Sequence, residues 1–243
     1  MTARLDTILA RSRALEVVRG VHAIDAVGAK VLLFEEERLT LVDAGAPGSA
    51  GRVLGYIVGL GRRPDEVDHI VLTHGHLDHV GSLAELRAAT GAVVWAHADD
   101  AAWVTGRVQA PQLVPNPFLD SVLRPVVRVR PVPVDRELRD GDWLPMLGGV
   151  QVVHVPGHTR GSIALYIPSR RALVVGDALQ VKHGRLTPPT RLFTEDMPRA
   201  CRSIGRLSQL DVDVLIFSHF RCRRGAVRRE LAALAESCHG EIG

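Results

Sequence analysis

The feature that most constrains this 243-residue chain is the run Thr73-His74-Gly75-His76-Leu77-Asp78-His79. It holds three histidines and one aspartate within six positions. Imidazole and carboxylate groups are the ligands that borderline metals such as zinc prefer. The apolar and β-branched residues at 69–73 predict a buried strand just before the run. The run therefore predicts a metal-binding loop between a strand and a following helix.

The spacing within the run also indicates how many ions one loop can serve. Side chains two positions apart on an extended segment project to the same side. His74, His76 and Asp78 can therefore point together, whereas His79 turns with the start of the helix and can reach a second position nearby. A lone histidine usually has no ligand role, but this grouping favours a site for two adjacent ions.

Three downstream segments each place a histidine or an aspartate directly after a strand-like run. They are Val155-Pro156-Gly157-His158-Thr159, Val175-Gly176-Asp177 and Phe217-Ser218-His219. Asp43 likewise follows a strand-like run. Site residues of layered folds gather on loops at one end of a rigid scaffold. These segments therefore predict one site assembled from several loops.

Apolar runs separated by turn residues predict two blocks of strands, each followed by helices. The predicted strands cover 21–27, 30–34, 39–42, 69–73, 92–96, 150–155, 163–167, 172–175 and 212–217. Predicted helices cover 50–60, 195–210 and 225–237, and another begins near Leu83 behind a Ser82-Leu-Ala-Glu85 capping box and ends at Gly91. Two packed sheets with helices outside would bury this pattern.

We predict an N-terminal extension or amphipathic helix over residues 1–18 and a single domain over 19–243. Six prolines between 111 and 133 exclude a long regular element from the excursion at 107–135. A short helix is expected near 118–123. The excursion is interpreted as an irregular connector, or else as a substrate lid or a subunit contact, and a subunit contact would make the protein a homodimer.

Composition and charge narrow the classes of partner. The formal net charge is only +3, and the one arginine cluster is interpreted as a solvated helix face: Arg221, Arg223, Arg224, Arg228 and Arg229. A small-molecule substrate is therefore expected and a nucleic-acid partner is not. Three cysteines without CxxC spacing, a charged N-terminus and the lack of a run of roughly 20 apolar residues predict a cytoplasmic protein without membrane contact.

Together, the His-x-His-x-Asp-His run, the Pro-Gly-His-Thr segment, the Gly-Asp pair and the last strand-end histidine resemble the metallo-β-lactamase superfamily. The order and spacing match from about residue 20 to 220. The resemblance implies an α/β fold, a four-layer αββα sandwich with the site at one edge. It implies two zinc ions, with manganese or iron as alternatives. Each ion would have three ligands and share one bridging aspartate: His74, His76 and His158 for the first, Asp78, His79 and His219 for the second, and Asp177 as the bridge.

Two positions need separate comment. The family's last histidine usually lies between glycines, whereas this chain has Ser218-His219-Phe220, so Phe220 is expected to shape the pocket wall. Asp43 matches a position beside the family's site, where a carboxylate orients a ligating histidine rather than binding metal. The other histidines are interpreted as lying outside the metal site: 22, 69, 97, 154, 183 and 239.

The resemblance implies a binuclear hydrolase in which a metal-bridging hydroxide attacks an ester, thioester or lactone, with Asp78 also able to handle a proton. β-Lactamases that use a cysteine ligand place it where Asp177 stands, which disfavours that branch. Glyoxalase II enzymes carry a helical C-terminal domain, and only 24 residues follow His219. Cationic side chains near the site loops would suit an anionic acyl substrate: Arg160, Lys182, Arg185, Arg191 and Arg221.

Three alternatives stay open from the sequence. One is a phosphodiesterase of the same fold. Another is a mononuclear iron dioxygenase of the persulfide dioxygenase type, which uses one iron at a His-His-Asp site. The third is a non-enzymatic, metal-stabilised module, although such sites are normally four-coordinate and closed. Seven ligand-type residues on open loops favour the binuclear hydrolase.

Overall fold

The computed structural model describes residues 14–108, 118 and 130–242. Seven of the described strands form a first sheet in chain order. They are β1 (Ala14–Val18), β2 (Val21–Ile24), β3 (Val31–Glu35), β4 (Leu39–Val42), β5 (Val67–Val71), β6 (Val93–His97) and β7 (Arg136–Leu138). The first four strands pair antiparallel, and β4 to β7 pair parallel.

The second sheet contains β8 (Trp143–Leu144), β9 (Val150–His154), β10 (Ile163–Ile167), β11 (Ala172–Val174), β14 (Val214–Ile216) and β15 (Arg223–Arg224). Its spatial order is β15-β14-β11-β10-β9-β8, and β12 (Gln180–Lys182) and β13 (Arg185–Thr187) form a separate hairpin. The helices are α1 (Ala50–Gly59), α2 (Leu77–Val80), α3 (Leu83–Thr90), α4 (Ala98–Val104), α5 (Met197–Leu207) and α6 (Val227–Ile242).

Alternation along the strands builds the layers. Leu32 and Phe34 of β3 belong to the core between the two sheets, whereas Leu33 belongs to a second core shared with α1 and α3. On the other sheet, Leu165 faces the central core, and Ala164 faces a third core shared with α5 and α6. Because successive side chains of a strand point to opposite faces, each sheet is covered on both sides. The fold is an αββα sandwich, as predicted.

Parallel pairing determines where the loops of interest meet. The strands β4, β5 and β6 run in the same direction, so the loops after Val42, Val71 and His97 leave the first sheet at one edge. In the second sheet β11 and β14 are also parallel. Polar residues that follow these strands are therefore brought to neighbouring edges of the two sheets.

Some local predictions were wrong. Residues 14–18 pair with β2 as an edge strand instead of belonging to an N-terminal extension or helix, because so short a segment has too little pattern to distinguish the two. Residues 1–13 lie outside the described residues. The helix α3 begins at Leu83 without a capping box, because Ser82 Oγ donates to Ala46 O (2.7 Å) and accepts from Ser49 N (2.9 Å) instead.

The arginine cluster is only partly helical. Arg223 and Arg224 form β15, and α6 begins at Val227. Arg223 pairs with Glu230, and Arg228 lies 3.1 Å from Asp211, so acidic neighbours compensate much of the local charge.

Most of the excursion at 107–135, and all but Phe118 of the helix expected near 118–123, lie outside the described residues. Among the residues that the structure describes, no helix is both long and apolar enough to span a bilayer.

Candidate metal centre

The loop after β5 is held by backbone hydrogen bonds to both sheets. Thr73 O accepts from Ile163 N (2.9 Å) and His79 O accepts from Ala44 N (2.7 Å). The turn into α2 is closed by His79 N donating to His76 O (2.9 Å). The histidine-rich run therefore has a fixed path, which is what a metal site needs from a loop.

The structure brings all seven predicted site residues together. His74, His76 and His158 form one group, and Asp78, His79 and His219 form another. Within each group the potential ligand atoms all lie within 4.8 Å of one another.

Asp177 lies between the two groups. One of its carboxylate oxygens lies 3.6 Å from His79 Nε2, and the other lies 3.6 Å from His158 Nε2 and 3.2 Å from His219 Nε2. This is the place that a bridging carboxylate requires.

Several of these polar atoms are buried without a hydrogen-bond partner: His79 Nε2, His158 Nε2 and Asp177 Oδ1. Buried polar atoms in proteins are almost always paired, so three such atoms around one space need an explanation. Imidazole nitrogens and carboxylate oxygens together are a donor set for a divalent cation. The residues present therefore fit a metal-binding site.

Electrostatics divide the centre into two parts. Burial lowers the pKa of His74 well below its usual value, that of His76 to about 3 and that of His158 to about 4. These three imidazoles are therefore neutral at physiological pH, which is the form that binds metal.

In the second group, neighbouring carboxylates raise the pKa values of the histidines. Hydrogen bonds to Asp177 and Asp78 raise the pKa of His219 to about 9. Burial opposes charge on His79, yet Asp43 and Asp177 raise its pKa above the usual value. Burial also opposes charge on Asp78, but His219 and His79 hold its pKa at about 2. Protons on the two imidazoles thus balance the carboxylates, and a metal ion entering this side must displace them.

Asp43 holds the second group from behind. It is 1% exposed, and its Oδ2 lies 2.7 Å from His79 Nδ1. Its Oδ1 accepts from Thr73 N (2.7 Å), and the Thr73 hydroxyl reaches both of its oxygens. Because Nδ1 of His79 is occupied by Asp43, Nε2 is the nitrogen left for a metal ion. This is the orienting place expected for Asp43.

A second buried carboxylate, Asp100, was missed by the sequence analysis. It lies in the first turn of α4, directly after β6, and is 1% exposed. Its oxygens accept from Gly75 N (2.9 Å), Thr159 Oγ1 (2.8 Å) and Gly161 N (2.8 Å). Asp100 therefore joins the loop of His74 and His76 to the loop of His158. Its segment, Ala98-Asp99-Asp100-Ala101, has no unusual composition that would have identified it.

The loop of His158 is also wedged against α5. Gly157 has φ +139°, and a Cβ there would lie 2.2 Å from Ala200 N. Gly157 O accepts from Asp196 N (2.9 Å), and His158 Nδ1 lies 3.3 Å from Thr194 Oγ1. Tight backbone packing thus positions His158 with its Nε2 towards Asp177.

A cavity of about 510 Å³ opens over the centre. Five of the seven residues line it: His76, Asp78, His158, Asp177 and His219. Phe220 forms part of the wall, as expected from its departure from the family pattern. Among the described residues, none of the cations proposed for an anionic substrate lines the cavity: Arg160, Lys182, Arg185, Arg191 and Arg221.

Two of the histidines that were interpreted as lying outside the metal site belong to a further cluster of ligand-type residues. His97, Asp99 and His154 have potential ligand atoms within 4.8 Å of one another. However, the two rings are stacked at 3.9 Å with an angle of 16° between their planes. A ring nitrogen binds metal in the plane of its ring, and one ion cannot lie in two nearly parallel planes. His97 Nδ1 moreover accepts from Asp99 N (3.2 Å). We assign no ion to this cluster.

Comparison with known sequences agrees with this geometry. The profile of the Metallo-beta-lactamase superfamily matches residues 27–219. The probable metallo-hydrolase YflN of Bacillus subtilis (strain 168) is 28% identical over 225 residues, covering 84% of this chain and 85% of that protein. A hydroxyacylglutathione hydrolase of Fuscovulum blasticum is 31% identical over 196 residues, which cover 80% of this chain but 62% of the relative.

Solved structures show the same fold. The Rm3 metallo-beta-lactamase superposes with a TM-score of 0.71 at 22% identity, covering 98% of this chain and 96% of that chain. A metallo-beta-lactamase family protein of Thermus thermophilus gives a TM-score of 0.70 at 23% identity, covering 92% of this chain and 81% of that chain. At these identities the likeness establishes the architecture alone.

Proposed function

The chain belongs to the metallo-β-lactamase superfamily and is a metal-binding hydrolase, and we propose that it hydrolyses an ester, thioester or lactone at a centre of two zinc ions. The observation that carries this proposal is the cluster of three buried, unpaired polar atoms on His79, His158 and Asp177 beneath an open cavity.

The proposed ligands follow from the two groups. His74, His76 and His158 hold one ion, and Asp78, His79 and His219 hold the other, while Asp177 contacts both groups. When bound, zinc ions supply Lewis acidity that lowers the pKa of water to about 7 and stabilises negative charge on oxygen.

The chain's own residues prepare the centre in three ways. Burial keeps the three imidazoles of the first group neutral, so that their lone pairs are available. Asp43 fixes His79 in the tautomer that presents Nε2. Oδ2 of Asp78 lies 3.2 Å from Nε2 of His219. We propose that this carboxylate oxygen takes up a proton released during turnover.

The choice of reaction rests on two observations. Asp177 stands where the β-lactamases that use a cysteine ligand place that cysteine, and the relatives are named as hydrolases. A hydroxyacylglutathione hydrolase, named for a thioester substrate, is 31% identical to this chain, against 28% for the metallo-hydrolase YflN, although the match covers 62% of that relative and 85% of YflN. Beyond the proposed zinc ions, the described lining offers no lysine or arginine to meet the negative charge of a phosphodiester. Ester, thioester and lactone carbonyls are uncharged and fit the lining better.

The test is elemental analysis of protein purified without added metal, alongside His76→Ala, Asp177→Ala and the exposed control His183→Ala. About two zinc ions per chain, lost in the first two variants and kept in the control, are expected. Hydrolysis of an ester, thioester and lactone panel should follow metal content. One iron per chain with thiol-dependent oxygen uptake would replace the proposal with a dioxygenase, and no stoichiometric metal after reconstitution would overturn it.

A further inference from the structure

The walls of the cavity are apolar, although its floor is polar. The wall residues come from the end of α4, from the loop after β11 and from the segments at 189–193 and 219–220. They include Trp103, Val108, Leu179, Pro189, Phe193 and Phe220. A cavity of about 510 Å³ is within the range of small-molecule sites, which combine apolar walls with a few polar groups.

The apolar wall is continuous with the metal-binding loop. A Cβ added at Gly75 would lie 3.0 Å from Trp103 Cε3, so the indole packs directly against the residue between His74 and His76. Phe220 follows His219 and meets the buried Phe217 edge to face, with ring centroids 5.9 Å apart. A substrate group bound against the rings of Trp103 and Phe220 therefore lies next to the residues of the metal centre. Phe193, which is 40% exposed, lies farther out towards solvent.

Away from the metal centre, the described lining offers no lysine or arginine to a negatively charged substrate group. Arg160 lies 3.7 Å from Glu195, and its side chain is 75% exposed. Lys182 and Arg185 are exposed on the β12–β13 hairpin and are not part of the described lining. A carboxylate moved from water into an apolar cavity without a cation is strongly disfavoured. A glutathione thioester, which carries two carboxylates, is therefore a poor match for the described walls.

We infer that the cavity binds the hydrocarbon chain of an uncharged ester, thioester or lactone, with Trp103 and Phe220 near the carbonyl group and Phe193 along the chain. This inference rests on the proposed hydrolysis for its activity test. Burial of each methylene contributes about 0.8 kcal/mol, which corresponds to about fourfold in binding. Specificity for chain length is the direct consequence.

The activity test uses 4-nitrophenyl esters of straight-chain acids from acetate upwards, together with a carboxylate-terminated ester such as the succinate. We expect kcat/KM to rise about fourfold per methylene until the cavity is filled, and the succinate ester to be the poorest substrate. Phe193→Ala should lower the octanoyl-to-acetyl ratio of kcat/KM about tenfold. The control is Leu192→Ala, an exposed neighbour outside the lining, which should keep the ratio.

A binding test separates this inference from the proposed function. Alkan-2-ones of increasing length, which cannot be hydrolysed, are titrated into the purified protein by calorimetry. Tighter binding with length, weakened in Phe193→Ala, without hydrolysis of any ester, thioester or lactone would retain the cavity inference and remove the proposed function. Hydrolysis that ignores chain length, or that favours the succinate ester, would overturn the inference and leave the function standing.

Discussion

Asp43 and Asp100 are two buried carboxylates that support the same centre in different ways. Both follow parallel strands of the first sheet, and both are 1% exposed. Asp43 contacts His79, a residue of the centre, whereas Asp100 accepts hydrogen bonds, among the described residues, from two backbone amides and a hydroxyl. The comparison separates two tasks: orienting one ligand, and fixing the distance between two loops.

The difference also appears in the protonation of the two sides. Asp43 lies against His79, and its carboxylate helps to raise the pKa of that imidazole. Asp100 has no cationic partner among the described residues, and burial raises its pKa to about 6 in spite of three donated hydrogen bonds. Burial therefore raises the pKa of the carboxylate whose described hydrogen-bond donors are all neutral.

The largest effect is expected for Asp43→Ala. Removing the carboxylate leaves His79 without its orienting partner, and breaking a buried charged pair costs about 3–5 kcal/mol. Loss of a group that orients a ligating histidine typically lowers metal affinity about 10–100-fold. Chelator competition and thermal unfolding measure the two quantities. Asp25→Ala, at an exposed aspartate 3.9 Å from Lys30, is the control and should change neither.

Asp100→Ala should come next. Gly75 N and Gly161 N would be left buried without their acceptor, at about 1–3 kcal/mol for each group that water cannot reach, whereas the Thr159 hydroxyl keeps Ser162 Oγ as a partner. We expect about 3 kcal/mol lower stability in denaturant unfolding and a smaller loss of metal affinity than in Asp43→Ala. The exposed neighbour Asp99 gives the matched control, Asp99→Ala. A larger loss of metal affinity at position 100 than at 43 would break the comparison.

A third prediction concerns pH and uses Asp100→Asn. The folded protein holds the Asp100 proton up to about pH 6, whereas the unfolded chain releases it near its ordinary value of about 4. At Asp100 the folded state therefore binds more protons in this window, so the stability of the wild type relative to Asp100→Asn should fall by about 2–3 kcal/mol as pH rises from 4 to above 6. Denaturant unfolding of both chelated proteins across this range measures the difference in stability, in which the contributions of the histidines cancel; parallel pH profiles would contradict the prediction.

The smallest effects are expected at the two threonines. Thr159→Val removes one of three donors to Asp100 and should cost about 1 kcal/mol without changing metal affinity. Thr73→Val removes a hydroxyl that contacts both oxygens of Asp43 and lies 3.1 Å from His74 Nδ1, so it should also weaken metal binding. Chelator competition on the pair sharpens the comparison; equal metal affinities would contradict it.

The sequence was most informative where local patterns were long. The strands β4 and β10 have the predicted bounds, because each is an apolar run closed by turn residues. The two-residue strands β8 and β15 were missed because they are too short to show a period. The helix α3 begins where predicted, but tertiary hydrogen bonds of Ser82 replace the expected cap.

The presence or absence of a local pattern also explains which site residues could be predicted from the sequence. The seven clustered residues stand in motifs of unusual composition, so the sequence predicted that they would meet. Asp100 stands in an ordinary helical segment, Ala98-Asp99-Asp100-Ala101, and its partner Gly161 is 61 positions away. The apolar character of the cavity likewise depends on side chains from distant segments. Contacts of this range are set by the packing of the two sheets and have no local signature.

The wedge of Gly157 against α5 bears on which sequences can encode this enzyme. No side chain fits at position 157, since even a methyl group would overlap the backbone of Ala200. A saturation library at this codon should therefore return glycine alone, although the residue carries no group that could bind metal or substrate. Of the two neighbouring positions, His158 carries the imidazole of the metal centre, but position 157 tolerates the fewest amino acids.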